Sequence, residues 1–304
     1  MQGLTEVLFR RAYSTVFPGD IDMAVSPFLS LTHGDLRHAL EKVEDVLPDA
    51  NKGLMPVVPQ ILGREPQEFV ALANRLYELG YDEVNWNIGC PMRRVAAKRR
   101  GAGILPYPDE VRAVLEAVVP AIKPRLSVKM RLGLTSPREI FALIPVLNDY
   151  PLKSVTIHPR TGRQQYGGVP DLDTFGEALP LIHSRVIYNG DIRSVADYRQ
   201  IRSRFPQVED VMIGRGVLYN PLLPCEIRGG EDDVRRAVLF LRTLLEAILS
   251  RPVSDAAKVR KIKEYWCLSY RSLHLSEVRR NEVLHASTLP EVVDALEHLI
   301  DDCH

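Results

Sequence analysis

Cysteine is scarce in this chain of 304 residues: there are four, at positions 90, 225, 267 and 303. They stand far apart, with no Cys-x-x-Cys pair and no Cys/His ligand spacing, which excludes a disulfide framework and a zinc site and fits a reducing compartment. Net charge is missing too, because 39 Lys and Arg balance 39 Asp and Glu. A protein that coats nucleic acid indiscriminately is thereby excluded, and any affinity for a polyanion must come from a local patch. No window approaches the apolar length of a membrane span, and the opening residues carry Arg10 and Arg11 without a sustained apolar stretch. These absences predict a cytoplasmic protein that makes no membrane contact. What is present is ordinary for a soluble globular chain: 45% hydrophobic residues and enough length for one large core and a smaller satellite.

Short β-rich runs alternate with helical patterns up to about residue 220, the signature of parallel βα units. The spacing predicts strands over 21–26, 55–61, 83–87, 125–131, 154–158, 186–189 and 210–214. Between them Phe69, Leu72, Ala73 and Leu76 recur at helical spacing, as do Val111, Val114, Leu115 and Val118. Seven such repeats predict an α/β fold, a (β/α)8 TIM barrel with one strand unaccounted for. From about Glu231 the pattern turns to long helical stretches over 234–249, 255–273 and 290–299, so a second, all-helical domain is expected. Gly229-Gly230 sets the expected boundary, with residues 1–229 in the barrel and 230–304 in the helical domain.

One corner carries the most chemistry. In Val84-Asn85-Trp86-Asn87-Ile88-Gly89-Cys90-Pro91 a cysteine is held between glycine and proline at the end of an apolar run. Gly89 permits a turn other residues resist, and Pro91 fixes the exit and removes an N–H, so Cys90 is expected on a rigid strand-to-loop corner. A lone cysteine at a strand end is more often a small buried hydrophobe. Here a basic glycine loop follows at once. Arg93, Arg94, Lys98, Arg99 and Arg100 precede Gly101-Ala102-Gly103, which points to a bulky polyanion as the partner of Cys90. Gln60, Asn87, Lys129, His158 and Asn189 fall at or just beyond the C-terminal ends of strands, where barrel enzymes build their sites. Lys129 lies among barrel-filling residues, and a buried ammonium calls for an anionic partner. Asn189-Gly190-Asp191 and Gly214-Arg215-Gly216 end the last two strands, a pairing that favours phosphate, to which Arg215 can add a bidentate contact.

The corner resembles the Asn-x-Gly-Cys-Pro motif of the tRNA-dihydrouridine synthases. Val128-Lys129-Met130-Arg131-Leu132-Gly133, His158-Pro159-Arg160-Thr161, Tyr166-Gly167-Gly168, Asn189-Gly190-Asp191-Ile192 and Met212-Ile213-Gly214-Arg215-Gly216 follow in that family's order and spacing. The wording Asn-Trp-Asn-x-Gly-Cys-Pro is most similar to the bacterial C-type branch. The resemblance implies reduction of the C5=C6 bond of a D-loop uridine in tRNA to dihydrouridine, with FMN as cofactor and NADPH as reductant, and points to position 16. It implies that Cys90 protonates C5 while hydride reaches C6, and that Lys129 lies by the flavin N1 and C2 carbonyl. Gln60 matches the residue that bonds the flavin's pyrimidine edge, and His158 the flavin-contacting histidine.

Asn189, Gly190, Asp191, Gly214 and Arg215 are implied to hold the flavin phosphate. Asn87 is expected to orient the base or flavin, and Arg160, Arg163, Gln164 and Tyr166 to form the pocket rim. Arg93, Arg94, Arg99 and Arg100 are expected to meet the tRNA, as are Lys258, Arg260 and Lys261 in the helical domain. No metal is expected, and a monomer is favoured. The family's first strand ends in Ala-Pro-Met-x-Gly-x-Thr, whereas this chain opens Met1-Gln2-Gly3-Leu4-Thr5. Met1 is therefore placed against the flavin, and the strand before it is expected to be absent, through a start placed too late or a gap in the barrel. Two rival readings are a flavin barrel reducing a free pyrimidine or enone, and a non-catalytic tRNA-binding protein should the first strand be truly missing.

Overall fold

The computed structural model describes residues 3–30, 45–231, 233–273 and 275–301. Seven strands form one sheet: β1 Ala24–Ser30, β2 Val57–Leu62, β3 Glu83–Ile88, β4 Arg125–Gly133, β5 Val155–Thr161, β6 Val186–Asn189 and β7 Asp210–Met212. All neighbours are parallel and lie in sequence order, the arrangement of a β/α barrel. Among the described residues β1 pairs with β2 alone and β7 with β6 alone. Met1 lies outside the described residues.

Each strand run expected from the sequence is present. The first lies further along than expected, and its pairing with β2 shifts register between Val25 and Phe28, where Pro27 has no N–H to give the ladder. β4 and β5 run two or three residues past their expected ends, carrying Gly133 and Thr161 into a further pair.

Parallel register and the two-residue strand period sort the side chains. Gln60 pairs with Asn85 and Asn85 with Ser127; Asn87 pairs with Lys129 and Lys129 with Thr156; Arg131 pairs with His158. These polar residues share the inner face of the sheet. Their neighbours Val84, Trp86, Ile88, Val128, Met130, Val155 and Ile157 share the other face and are buried beneath helices Pro66–Glu78, Pro108–Val118 and Ile140–Asn148. The main apolar core therefore lies between sheet and helices. Trp86 anchors it, edge-on to Phe69 at 6.2 Å, with its indole N–H donated to the Gly63 carbonyl at 2.8 Å.

A second core is built from helices Val234–Leu249, Asp255–Ser269, Glu277–His285 and Leu289–Asp301. The third of these was not expected, since its sequence carries one buried residue, Val283, and so shows no helical apolar stripe. The second core also takes in helix Val7–Val16 from the other end of the chain. Phe9, Tyr13 and Phe17 lie 5.4, 5.9 and 5.9 Å from the Phe240 ring, and Tyr13 donates its hydroxyl to the Pro221 carbonyl at 2.9 Å. The expected boundary at residue 229 thus divides the sequence without dividing the cores. No helix among the described residues is long and apolar enough to cross a membrane.

Phe240→Ala is expected to cost about 3–5 kcal/mol, the usual range for truncating a fully packed aromatic. Because its ring is shared with the N-terminal helix, hydrogen exchange should accelerate in Val7–Val16 and Val234–Leu249 together. Urea denaturation and exchange mass spectrometry check the two statements.

Candidate active site

The inner face begins with a ladder of amides. Gln60 donates Nε2–H to Asn85 Oδ1 at 2.8 Å, Asn85 donates Nδ2–H to Ser127 Oγ at 3.0 Å, and Asn87 donates Nδ2–H to Gln60 Oε1 at 2.7 Å. Asn87 then turns the corner. Its Oδ1 accepts the backbone N–H groups of Gly89 and Cys90, each at 3.0 Å, so both lone pairs of that oxygen hold the loop carrying the thiol. Asn87, expected to orient the base or flavin, also clamps the Cys90 turn. The Cys90 carbonyl in turn accepts from Ala102 N–H at 2.9 Å. Gly101, at φ +54, lies so close that an added Cβ would stand 2.8 Å from the Cys90 Cβ. That approach requires glycine.

Cys90 is 8% exposed. Burial pushes its thiol above the ordinary value, against the Met92 backbone N–H and the positive charges of Arg131, Lys129 and Arg94, which pull it down. At neutral pH the group is a thiol. Lys129 faces the same space from β4, half-buried, and among the described residues no hydrogen bond or ion pair reaches its ammonium. Burial, aided by the charge of Arg131, brings its pKa down to about 8.

Arg131 is a site residue that sequence reasoning passed over. It donates Nε–H to the Gly89 carbonyl at 3.0 Å and Nη1–H to the Thr161 carbonyl at 2.8 Å, tying the cysteine turn to the end of β5. Burial lowers its pKa to about 10, which leaves it charged at neutral pH. The signal was available in the alternation Ser127, Lys129, Arg131, which puts the arginine on the face of the lysine.

His158 is buried on the neighbouring strand, its pKa driven down to about 2 by burial and by Lys129, Arg131 and Arg160, with Asp191 opposing. Burial and the surrounding cations thus favour the neutral ring at neutral pH. Beside it Arg160 is 0% exposed and bound to Asp191, His158 and the carbonyls of Gly167 and Gly168. The expectation of Arg160 on the pocket rim is therefore corrected: its guanidinium lies inside the protein.

Three guanidiniums share one carboxylate at the ends of β5 to β7. Asp191, at φ +44, is held by Arg160 at 2.5 Å, Arg215 at 2.9 Å and Arg193 at 3.5 Å. Burial raises its pKa, yet the arginines outweigh burial and hold it below the usual carboxylate range. Positive charge is left in excess there. Gly190 packs beside His158, where a Cβ would come within 3.3 Å of the ring, and Gly214 caps the short helix Arg215–Tyr219. Asn189 spends its amide N–H on the Met212 carbonyl at 2.7 Å, joining β6 to β7.

Above the cluster, the loop following β5 exposes Arg163, Gln164 and Tyr166. Gln164 turns its Oε1 back to the Thr161 N–H at 2.7 Å, and the Tyr166 ring lies 4.7 Å from the Arg215 guanidinium and 5.5 Å from that of Arg131.

The basic loop separates into two kinds of arginine. Arg93 and Arg94 are exposed on helix Arg93–Ala96. Arg100 is buried, so its expected place on the RNA-facing surface is corrected, and Arg99 is occupied by Glu110 and by the Tyr107 ring at 4.1 Å. In the helical region Arg260 is exposed and Lys258 half-buried. Lys261 instead donates to the Gly3 carbonyl at 2.5 Å and pairs with Glu264 at 3.3 Å, so it secures the N-terminal segment. Tyr265, Trp266 and Tyr270 are in the second core.

Polar side chains from successive strands, converging on one end of a parallel barrel around a buried thiol and an ammonium that is unpaired among the described residues, are the layout of a barrel enzyme. The particular family follows from comparison: the profile for dihydrouridine synthase (Dus) matches residues 1–249, and the chain belongs to that family. It is 28% identical to the tRNA-dihydrouridine(16) synthase of Pseudomonas putida, over 76% of this chain and 72% of the relative. The protein of that name from Neisseria meningitidis is 24% identical over 99% of this chain and 94% of its own. tRNA-dihydrouridine synthase B of Pasteurella multocida is 28% identical over 73% and 65%.

Lys129 has a pH signature. The native state releases its proton from about pH 8 while the unfolded chain holds it to 10.5, so between those values the unfolded state binds more protons and stability rises with pH. Lys129→Met is expected to remove that rise and to stabilise the ligand-free protein at neutral pH. Denaturation midpoints of the two proteins compared between about pH 7 and pH 10 check it.

Proposed function

We propose that the chain is a tRNA-dihydrouridine synthase that reduces the C5=C6 bond of a D-loop uridine in tRNA, with FMN as bound cofactor and NADPH as reductant, acting in the cytoplasm. The observation that carries this reading is the Cys90 thiol, kept protonated by burial and held on a hydrogen-bonded corner, together with a Lys129 ammonium that has no partner among the described residues. The residues fit the cofactor. Among the described residues an ammonium has no carboxylate partner and three guanidiniums share the carboxylate of Asp191, which calls for an anionic ligand with a phosphate at one end.

Arg215 and Arg193, with the turns at Gly190 and Gly214, would take the phosphate; Lys129, Gln60 and His158 would meet the polar edge of the ring. When bound, FMN supplies the reducing equivalents, drawn from NADPH. Cys90 supplies the proton: its raised pKa keeps it on sulfur until the C5 carbon of the base accepts it, and Asn87 and Arg131 hold the turn from two sides. Lys129 sets the local charge that favours an electron-rich ring. Tyr166 and Arg163 would line the entrance of the base, which must leave its stack to reach the barrel. Arg93, Arg94 and Lys98 would meet phosphates of the tRNA, as would Arg260 and Lys258 from the helical domain over 230–304.

Cys90→Ala should slow uridine reduction on the order of 100-fold, the scale of losing a general acid, while tRNA binding is kept. A single-turnover assay on unmodified tRNA decides it, and equal rates remove Cys90 from the mechanism. Arg93→Ala with Arg94→Ala should lower the slope of log affinity against log salt by about 0.7–0.9 for each phosphate no longer neutralised. An unchanged slope places that helix away from the RNA.

A further inference from the structure

Arg160 uses every donor it has. A guanidinium carries five N–H bonds and no acceptor. Here Nε donates to the Gly167 carbonyl at 3.0 Å, Nη2 to the Gly168 carbonyl at 2.7 Å and to Asp191 Oδ2 at 2.5 Å, and Nη1 to Asp191 Oδ1 at 3.0 Å. The fifth N–H, on Nη1, meets His158 Nε2 at 3.1 Å. Since arginine can only donate, that nitrogen must present its lone pair, and the ring proton must sit on Nδ1.

We propose that Arg160 is a positioning residue that fixes His158 as the neutral Nδ1–H tautomer, so that the imidazole offers a bound ligand one donor and no second acceptor. The ring stays neutral because the groups facing it are mostly cationic: Lys129 and Arg131 from β4 and Arg160 from its own strand, against the single carboxylate of Asp191 beyond β6. Asp191 in turn compensates the buried guanidinium, so the tautomer is set by a three-residue chain from the end of β6 to the inside of β5. The ligand edge that meets His158 must then carry an acceptor. With FMN as the proposed cofactor, that edge is a carbonyl oxygen or bare nitrogen of its pyrimidine ring; this clause rests on the proposed function, and the tautomer does not.

The test uses the full-length, ligand-free protein labelled with 15N-histidine, with His158 identified by the signal that disappears in His158→Gln. Long-range 1H–15N spectra from about pH 5.5 to 8 should show Nδ1 protonated, Nε2 bare and no titration. An Nε2–H tautomer, or a midpoint near the ordinary 6.5, overturns the proposal. Arg160→Met should release the ring into a mixture of tautomers, and Arg160→Lys, which still donates, should restore Nδ1–H in part. Should the methionine variant fail to fold, Asp191→Asn replaces it and is expected to raise the Nε2–H fraction. Unchanged spectra in the folded variants remove Arg160 from the role. Added FMN should shift the Nδ1–H signal. If FMN binds without moving it, the acceptor-edge claim is wrong; if FMN does not bind at all while the tautomer stands, it is the proposed function that fails.

Discussion

The inner face of this sheet is polar, and each group on it must find a partner within the protein or keep a place for one outside. Most barrels fill that space with branched apolar side chains. Here the register of β2 to β4 brings amide beside amide and hydroxyl, so Gln60, Asn85, Asn87 and Ser127 satisfy one another. Leaving any one of them without its partner would cost about 1–3 kcal/mol of desolvation. The ladder therefore acts as a rigid floor, and its last member, Asn87, passes that rigidity to the thiol through two backbone N–H groups.

Above the floor the pattern changes from satisfied to unbalanced. Arg160 is fully bound and compensated by Asp191, and Arg131 is bound to two carbonyls with, among the described residues, no carboxylate of its own. Lys129 has neither among the described residues. A cavity wall carrying uncompensated positive charge destabilises the empty protein and rewards an anionic occupant, which is how a binding site is distinguished from a merely polar interior. Burial favours the neutral form of both neighbours: with the cations added it drives the His158 pKa far down, and at Cys90 it outweighs the cations and keeps the proton on sulfur.

The helical region is tied to the barrel through the N-terminal segment and through the connection after β7. Helix Val7–Val16 contributes rings to the second core, and Lys261 and Tyr265 hold the carbonyls of Gly3 and Leu4, each at 2.5 Å. Tyr13, bonded to the Pro221 carbonyl, closes the connection next to the helix that Gly214 caps.

The order and type of the strands, the rigid corner of Cys90 and the placement of Lys129 and His158 were legible along the chain, because strand period, glycine and proline chemistry and motif spacing are local properties. The helix over 277–285 was not, since its burial depends on a single valine and on neighbours far away in sequence. Nor could local pattern separate arginines that look alike. Arg93 and Arg94 face solvent, Arg99 is held by Glu110, Arg100 is buried, and Arg160 is an internal hub rather than a rim residue. What decides an arginine's role is which acceptors surround it in space, and those acceptors come from other strands and loops. By itself the sequence determined the barrel and its family; only the tertiary structure decided which cations are paired within the described residues and which are not, because pairing is a matter of distance across the fold.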